Sequence, residues 1–229
     1  MKIEVYSDDE STARAAAKYI AAEAGAAVAA RGRFVMAVSG GHTPWIMLRA
    51  LATESLPWEH IHVAQVDERV APAGHSDRNL THLLESLAHC PIRLEQIHAM
   101  PVELTDLDEA VRRYTSTLRD LAGSPPILDL VHLGLGPDGH TASLVPGDPV
   151  LKITEADVAL TSEYEHRQRM SLTYPIINRA RRILWLATGT EKAGMLARLR
   201  QCDQSIPAGK ISQERALVFA DQAAAKMAA

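Results

Sequence analysis

The 229-residue chain has only two cysteines, Cys90 and Cys202, far apart and in no metal-ligand spacing. Both read as reduced packing or surface thiols, as in a cytosolic protein. No H-x-x-x-H or C-x-x-C spacing suggests a metal, and no cofactor of another kind is expected. No apolar run approaches the roughly 18 residues that a membrane span requires. The opening Met1-Lys2-Ile3-Glu4-Val5 has no charged stretch leading into an apolar one. No secretory signal is therefore visible, and a cytoplasmic location is expected. An excess of positive charge is missing too: 24 basic against 28 acidic residues leave a net charge of −4 with histidine neutral. Such a surface attracts neither nucleic acid nor acidic membranes as a whole, so an anionic ligand needs a local site. Internal repeats, low-complexity stretches and linkers are absent, which predicts one domain over residues 1–229. No apolar stripe demands an obligate partner, and a monomer or weak dimer is expected.

What is present is an ordinary globular composition, 47% hydrophobic and 23% charged. A domain of this size buries roughly 70% of its unfolded surface, enough for a core without disulfides or metals. Ile3–Tyr6 reads as a short strand, and Ser7-Asp8-Asp9-Glu10 as a capping box. The alanine-rich helix that follows runs to about Ala30 and is ended by Gly32; its propensity is strong and its apolar face weak, as suits a helix covering a sheet. Further strands are predicted at Arg33–Val38, Ile61–Val66, Leu128–Leu133 and Arg182–Ala187, with an edge strand at Leu217–Ala220. Helices are predicted at Trp45–Leu51, Asp77–His89, Asp106–Leu121 and Glu191–Arg200. Ala159–Glu163 and Arg167–Leu172 read as a strand pair, and the tail from Gln222 as a fraying helix. Strands alternating with helices imply an α/β fold: a doubly wound, mostly parallel, Rossmann-like sheet flanked by helices, with a small β-rich appendage near residues 159–175.

Three strands end in unusual clusters. Val38 leads into Ser39-Gly-Gly-His-Thr-Pro44, Val66 into Asp67-Glu-Arg69, and Leu133 into Gly134-Leu-Gly-Pro-Asp-Gly-His-Thr141. Carboxyl ends of parallel strands share one sheet edge, where ligands bind, so the clusters can build one site. In the first, Thr43 before Pro44 reads as an N-cap with proline at the first helical position. Gly40 and Gly41 permit close backbone approach, and the free amides make either a phosphate cradle or a plain tight turn. Ala37-Val-Ser39-Gly-Gly41 also has a degenerate nucleophile-elbow form. In the third, His140 is either a general base or a turn histidine. Asp67-Glu68-Arg69 is either solvated surface or two acceptors beside an anion donor. Arg169 and Lys192 are later cations able to fold back over the Ser39–Thr43 loop. His42, His62, His75, His89, His98 and His166 read as surface.

With these residues named, the chain resembles the 6-phosphogluconolactonase family over nearly its whole length. The resemblance rests on the ordered set Ser39–Pro44, Val66–Arg69, Ser76-Asp-Arg-Asn79, Gly134–Leu144, Arg169–Pro175 with Asn178, and Gly189-Thr-Glu-Lys192. It departs at Tyr174, where a small or aliphatic residue is expected. The resemblance implies hydrolysis of a phosphorylated sugar lactone in carbohydrate metabolism, the oxidative pentose phosphate pathway, without metal or covalent intermediate. It implies His140 as the base that activates water and Arg69 as a ligand for oxygens near the reacting carbonyl. Asp138 or Asp67 would orient the imidazole or the sugar hydroxyls. Ser39, Gly40, Gly41 and Thr43 would hold the remote phosphate with Arg169 and Lys192. Three rivals share these residues: a glucosamine-6-phosphate deaminase, a serine hydrolase built on Ser39, and a non-catalytic sugar-phosphate sensor.

Overall fold

The computed structural model describes residues 1–227. Seven parallel strands form the central sheet, in the order β1-β10-β9-β6-β2-β3-β5. They are β1 (Lys2–Tyr6), β2 (Phe34–Val38), β3 (Ile61–Gln65), β5 (Ile97–His98), β6 (Leu130–Gly134), β9 (Ile183–Ala187) and β10 (Ala216–Asp221). Along β2, Phe34, Met36 and Val38 pack into one core while Val35 and Ala37 pack into the other. Burial on both faces explains why these strands read as continuous apolar runs.

On one face lie α1 (Asp9–Arg31), α2 (His42–Ala50) and α3 (Asn79–Leu87). Helix α1 meets the sheet through Ala13, Ala16, Ala17, Ile20, Ala24 and Ala27, all buried. Small side chains let it lie close, as its composition suggests. The other face carries α4 (Leu107–Ala122), α5 (Tyr174–Arg179) and α6 (Ala193–Arg200), whose Tyr114, Ile176 and Leu196 are buried there. The same core takes in a second, antiparallel sheet of β4 (Asp67–Arg69), β8 (Arg169–Leu172) and β7 (Val158–Leu160). Helix α7 (Gln222–Ala225) closes the described chain. No helix among the described residues is long and apolar enough to cross a membrane.

Several local expectations need correction. The capping box of α1 is Asp8 with Ser11, not Ser7 with Glu10. Asp8 and Ser7 are both good caps, and the chain turns extended at Asp8, whose carboxylate accepts from the Ser11 amide at 2.7 Å. Helix α2 begins at His42 behind Gly41 instead of behind Thr43. Pro44 is tolerated anywhere in the first turn, where its missing N–H has no intrahelical partner, so it did not mark the first residue. Asp67-Glu68-Arg69, read as the cluster in which the Ile61–Val66 strand ends, is itself strand β4 of the small sheet. Strand β10 is not an edge: it sits between β1 and β9, and five of its six residues are buried. His62 and His98 are half-buried neighbours with ring nitrogens 3.1 Å apart. Tyr174 is accommodated by donating its hydroxyl to the Pro207 carbonyl at 3.0 Å.

Candidate active site

The carboxyl edge of the parallel sheet opens into a cleft of about 670 Å³, within the usual range for small-ligand sites. Ser39, Gly40, Gly41, Thr43, Asp67, Arg69, His140, Arg169 and Lys192 all line it, and Asp138 stands directly behind His140. Each singled-out residue is therefore brought to one place, although they come from β2–α2, β4, the loop after β6, β8 and the turn after β9.

The loop after β6 sets up the imidazole. Asp138 Oδ1 accepts from the His140 amide at 3.1 Å and lies 2.6 Å from His140 Nδ1. A carboxylate there places the ring proton on Nδ1 and leaves Nε2 with a lone pair. Burial by itself raises the Asp138 carboxyl, but the His140 amide and imidazole outweigh it and hold Asp138 below the ordinary carboxylate range. Gly136 leaves the room: a Cβ there would collide with the His140 ring. Asp67 does not touch the imidazole. It is buried and accepts from Ser143 Oγ at 2.7 Å and Asn79 Nδ2 at 3.4 Å. Orientation of His140 therefore falls to Asp138.

Strand β4 explains its own charge run. Glu68 is fully buried and accepts from the amides of Arg69, Asn79 and Leu80 and from Gln65 Nε2. It is also 3.0 Å from the buried Arg78 Nε. This anchor faces the core and fixes Arg69 toward the cleft. Arg69 Nη1 donates to the Asp77 carbonyl at 2.8 Å and to Asn79 Oδ1 at 3.2 Å. In the antiparallel register Arg69 lies directly opposite Arg169. Like charges placed so are unfavourable, and both guanidiniums keep a buried Nε without a partner. Such a pair is stabilised by an anion arriving between or beside it.

The Ser39–Thr43 loop offers complementary donors. Helix α2 has no side-chain cap, so the amides at its start stay open to the cleft, at the positive end of the helix dipole. Gly40 packs so closely on Asn79 that a Cβ would collide with Oδ1. Ser39 Oγ is buried without a partner, and Thr43 Oγ1 lies 2.6 Å from Thr188 Oγ1. Lys192 has no ion pair among the described residues.

Three residues escaped the sequence reading. His132, inside β6, is wholly buried and accepts from the Ser39 amide at 3.3 Å on Nδ1, while its Nε2 has no partner. Burial pushes its imidazole down to about 3, so it is neutral. Tyr164, at the tip of the β7–β8 hairpin, meets the His140 ring edge-on at 5.7 Å and lies under the Arg169 guanidinium at 4.8 Å. Next to it, Glu165 takes Arg169 Nη2 at 2.7 Å. His132 looked like any residue of an apolar strand, and nothing in the polar stretch around Tyr164 marked it.

The chain that carries this sheet edge, with its open helix start and carboxylate-backed histidine, falls within a known class of sugar-phosphate proteins. The family of glucosamine-6-phosphate isomerases/6-phosphogluconolactonases matches residues 7–219, and the chain belongs to it. Within that family the chain is similar to the human protein named 6-phosphogluconolactonase, with 34% identity covering 98% of this chain and 93% of that one. It is 38% identical to the 6-phosphogluconolactonase of Synechocystis, over 76% of this chain and 74% of the relative. Among solved structures, the 6-phosphogluconolactonase of Trypanosoma brucei superposes with a TM-score of 0.87 at 26% identity, covering 100% of this chain and 98% of that one.

Proposed function

We propose that this cleft hydrolyses 6-phospho-D-glucono-1,5-lactone to 6-phospho-D-gluconate, a step of the oxidative pentose phosphate pathway. A δ-lactone is an activated ester; its hydrolysis needs a positioned water, a base for that water and donors for the charge that forms on the carbonyl oxygen. His140 Nε2 takes a proton as the water oxygen bonds to C1. The C1–O5 bond then breaks as the imidazolium returns that proton to the ring oxygen, leaving a hydroxyl and a carboxylic acid that ionises to the carboxylate. Help from a base of this kind is typically worth about 10²–10⁴-fold. Asp138 holds the imidazole tautomer and stabilises the imidazolium that forms. Arg69 binds oxygens at the reacting end, and Asp67 orients sugar hydroxyls through its place beside Asn79 and Ser143. The amides of Gly40, Gly41, His42 and Thr43 and the hydroxyls of Ser39 and Thr43, with Arg169 and Lys192, hold the remote phosphate, and that binding fixes the lactone for attack.

The observation that carries this reading is the Asp138–His140 pair at 2.6 Å facing a cleft with two opposed, incompletely partnered arginines. Relatives named for this lactonase at 34% and 38% identity support it. We further place the protein in the cytoplasm, acting over residues 1–229 as one domain and as a monomer or weak dimer. Its exposed large apolar residues, such as Val5, Leu84 and Leu94, fall on separate segments.

The test compares two substrates after subtracting spontaneous lactone opening. The expected result is enzymatic hydrolysis of the phosphorylated lactone and no ammonia from glucosamine 6-phosphate. Ammonia release with no acceleration of lactone opening would transfer the chain to the deaminase branch of its family. Binding of 6-phosphogluconate with neither activity would make it a sensor.

A further inference from the structure

A second cleft, of about 470 Å³, lies at the other edge of the sheet. Arg31 ends α1 just ahead of β2, and Asp129, Arg182 and Arg215 immediately precede β6, β9 and β10. Parallel strands collect these positions at their amino ends, remote from the carboxyl edge. Arg31, Arg181, Arg182 and Arg215 line this cleft together with Glu23 and Asp129.

Four guanidiniums meet two carboxylates there, an excess of two positive charges. The acids are already engaged. Asp129 Oδ1 accepts from Arg31 Nε at 3.0 Å and Nη2 at 2.7 Å and lies 3.4 Å from Arg181 Nε. Its Oδ2 accepts from the Val35 amide at 2.9 Å. Glu23 lies 3.3 Å from Arg182. Arg215 has no ion pair among the described residues. Asp129 with Arg31 and Arg181 ties α1 to two strand entries, which is a structural task. Among the described residues the acid that Arg182 meets is the partly exposed Glu23, and Arg215 meets none, so these two are the cations an incoming anion can engage. The carboxyl end of α1 contributes at most about half a negative charge, so the cleft stays positive. The whole chain sums to −4, so removing this +2 leaves −6 for the remainder. A concave positive site on a negative protein concentrates small anions and repels long polyanions, which would overlap the acidic surface. Guanidinium forks match phosphate oxygens in pairs.

We propose that the amino-edge cleft is a binding site for a small, multiply charged phosphate-type anion, separate from the carboxyl-edge cleft and independent of the lactonase reading. Inorganic pyrophosphate is the probe, titrated calorimetrically in phosphate-free buffer of low ionic strength. Arg169→Ala protein removes a cation from the carboxyl-edge cleft and should retain this binding. Arg182→Ala/Arg215→Ala protein should lose affinity at this site by about tenfold or more, which is about 1.4 kcal/mol, with an unchanged melting temperature in the absence of anion. In the wild type, side-chain Nε–Hε resonances of Arg182 and Arg215 should move with pyrophosphate, a readout that does not depend on any variant folding. Identical isotherms for the wild type and the double variant, or arginine resonances that stay still, would overturn the proposal.

Discussion

Two histidines eight positions apart on one strand and its loop have opposite fates. His132 points into the core from the middle of β6, props the Ser39 amide and has no acid to meet it. His140 stands beyond the end of the strand, in the cleft, with Asp138 on Nδ1 at 2.6 Å. Burial without a carboxylate drives His132 to the neutral form permanently, so it can orient but cannot exchange protons. His140 is instead partly exposed, its ring held by a carboxylate and turned to the cleft. The difference comes from placement: a strand interior supplies only apolar neighbours and a backbone amide, whereas the loop supplies glycine space and a second polar residue.

Removing the histidine proposed as the base should produce the largest effect. His140→Ala is expected to lower kcat by at least about 10², with affinity for 6-phosphogluconate little changed. Asp138→Asn should also lower kcat, because an amide donating to Nδ1 would shift the ring proton to Nε2. A His140→Ala enzyme with nearly full kcat would remove His140 from the role of base and collapse the contrast with His132.

How much of that contrast was legible beforehand differs between its two halves. The strand ends and their clusters were readable because buried parallel strands are continuous apolar runs, each stopping at glycine or charge. His140 stood out by its setting among glycines. His132 did not, since an apolar run conceals a single polar member and only the fold reveals which amide it reaches. The opposition of Arg69 and Arg169 was equally hidden, because antiparallel pairing between distant segments leaves no local spacing. Tyr164 was invisible for the same reason: its neighbours His140 and Arg169 meet it only through the hairpin. Asp67 and Asp138 could not be ranked until distances placed one of them on the imidazole. The helix start at His42 was misplaced because Pro44 satisfies several first-turn positions alike.

The buried histidine should announce itself in stability instead of rate. Its folded imidazole titrates near 3, against about 6.5 in the unfolded chain. Between those values the unfolded state binds the proton and the folded state does not, so stability rises with pH through this window. It is complete above about 6.5 and falls by up to about 1.4 kcal/mol per pH unit as the medium is acidified. His98, lowered to about 4 by burial and then by His62, adds to the same trend. His132→Asn retains an acceptor for the Ser39 amide but does not titrate. Urea unfolding at pH 5 and pH 7 should therefore show a smaller difference for this variant than for the wild type. Equal pH dependence in both would mean that His132 is protonated in the folded protein.

The smallest effect, and the sharpest division between holding and reacting, concerns Ser39. Its amide is held by His132, but its Oγ is buried without a partner. A buried hydroxyl in that state costs about 1–3 kcal/mol, so deleting it should leave the ligand-free protein unchanged or more stable. Ser39 lines the cleft, and in the proposed reading its hydroxyl would find an acceptor in the substrate phosphate. Ser39→Ala should then raise KM several-fold while kcat stays within about tenfold, as expected when an interaction is equally strong in ground and transition states. A melting temperature that holds or rises alongside a weaker KM would mark Ser39 as a group left unsatisfied for the sake of its ligand. Loss of all turnover, or a stable organophosphate adduct on the wild-type serine, would instead make Ser39 a nucleophile and reduce His140 from activator of water to activator of a side chain.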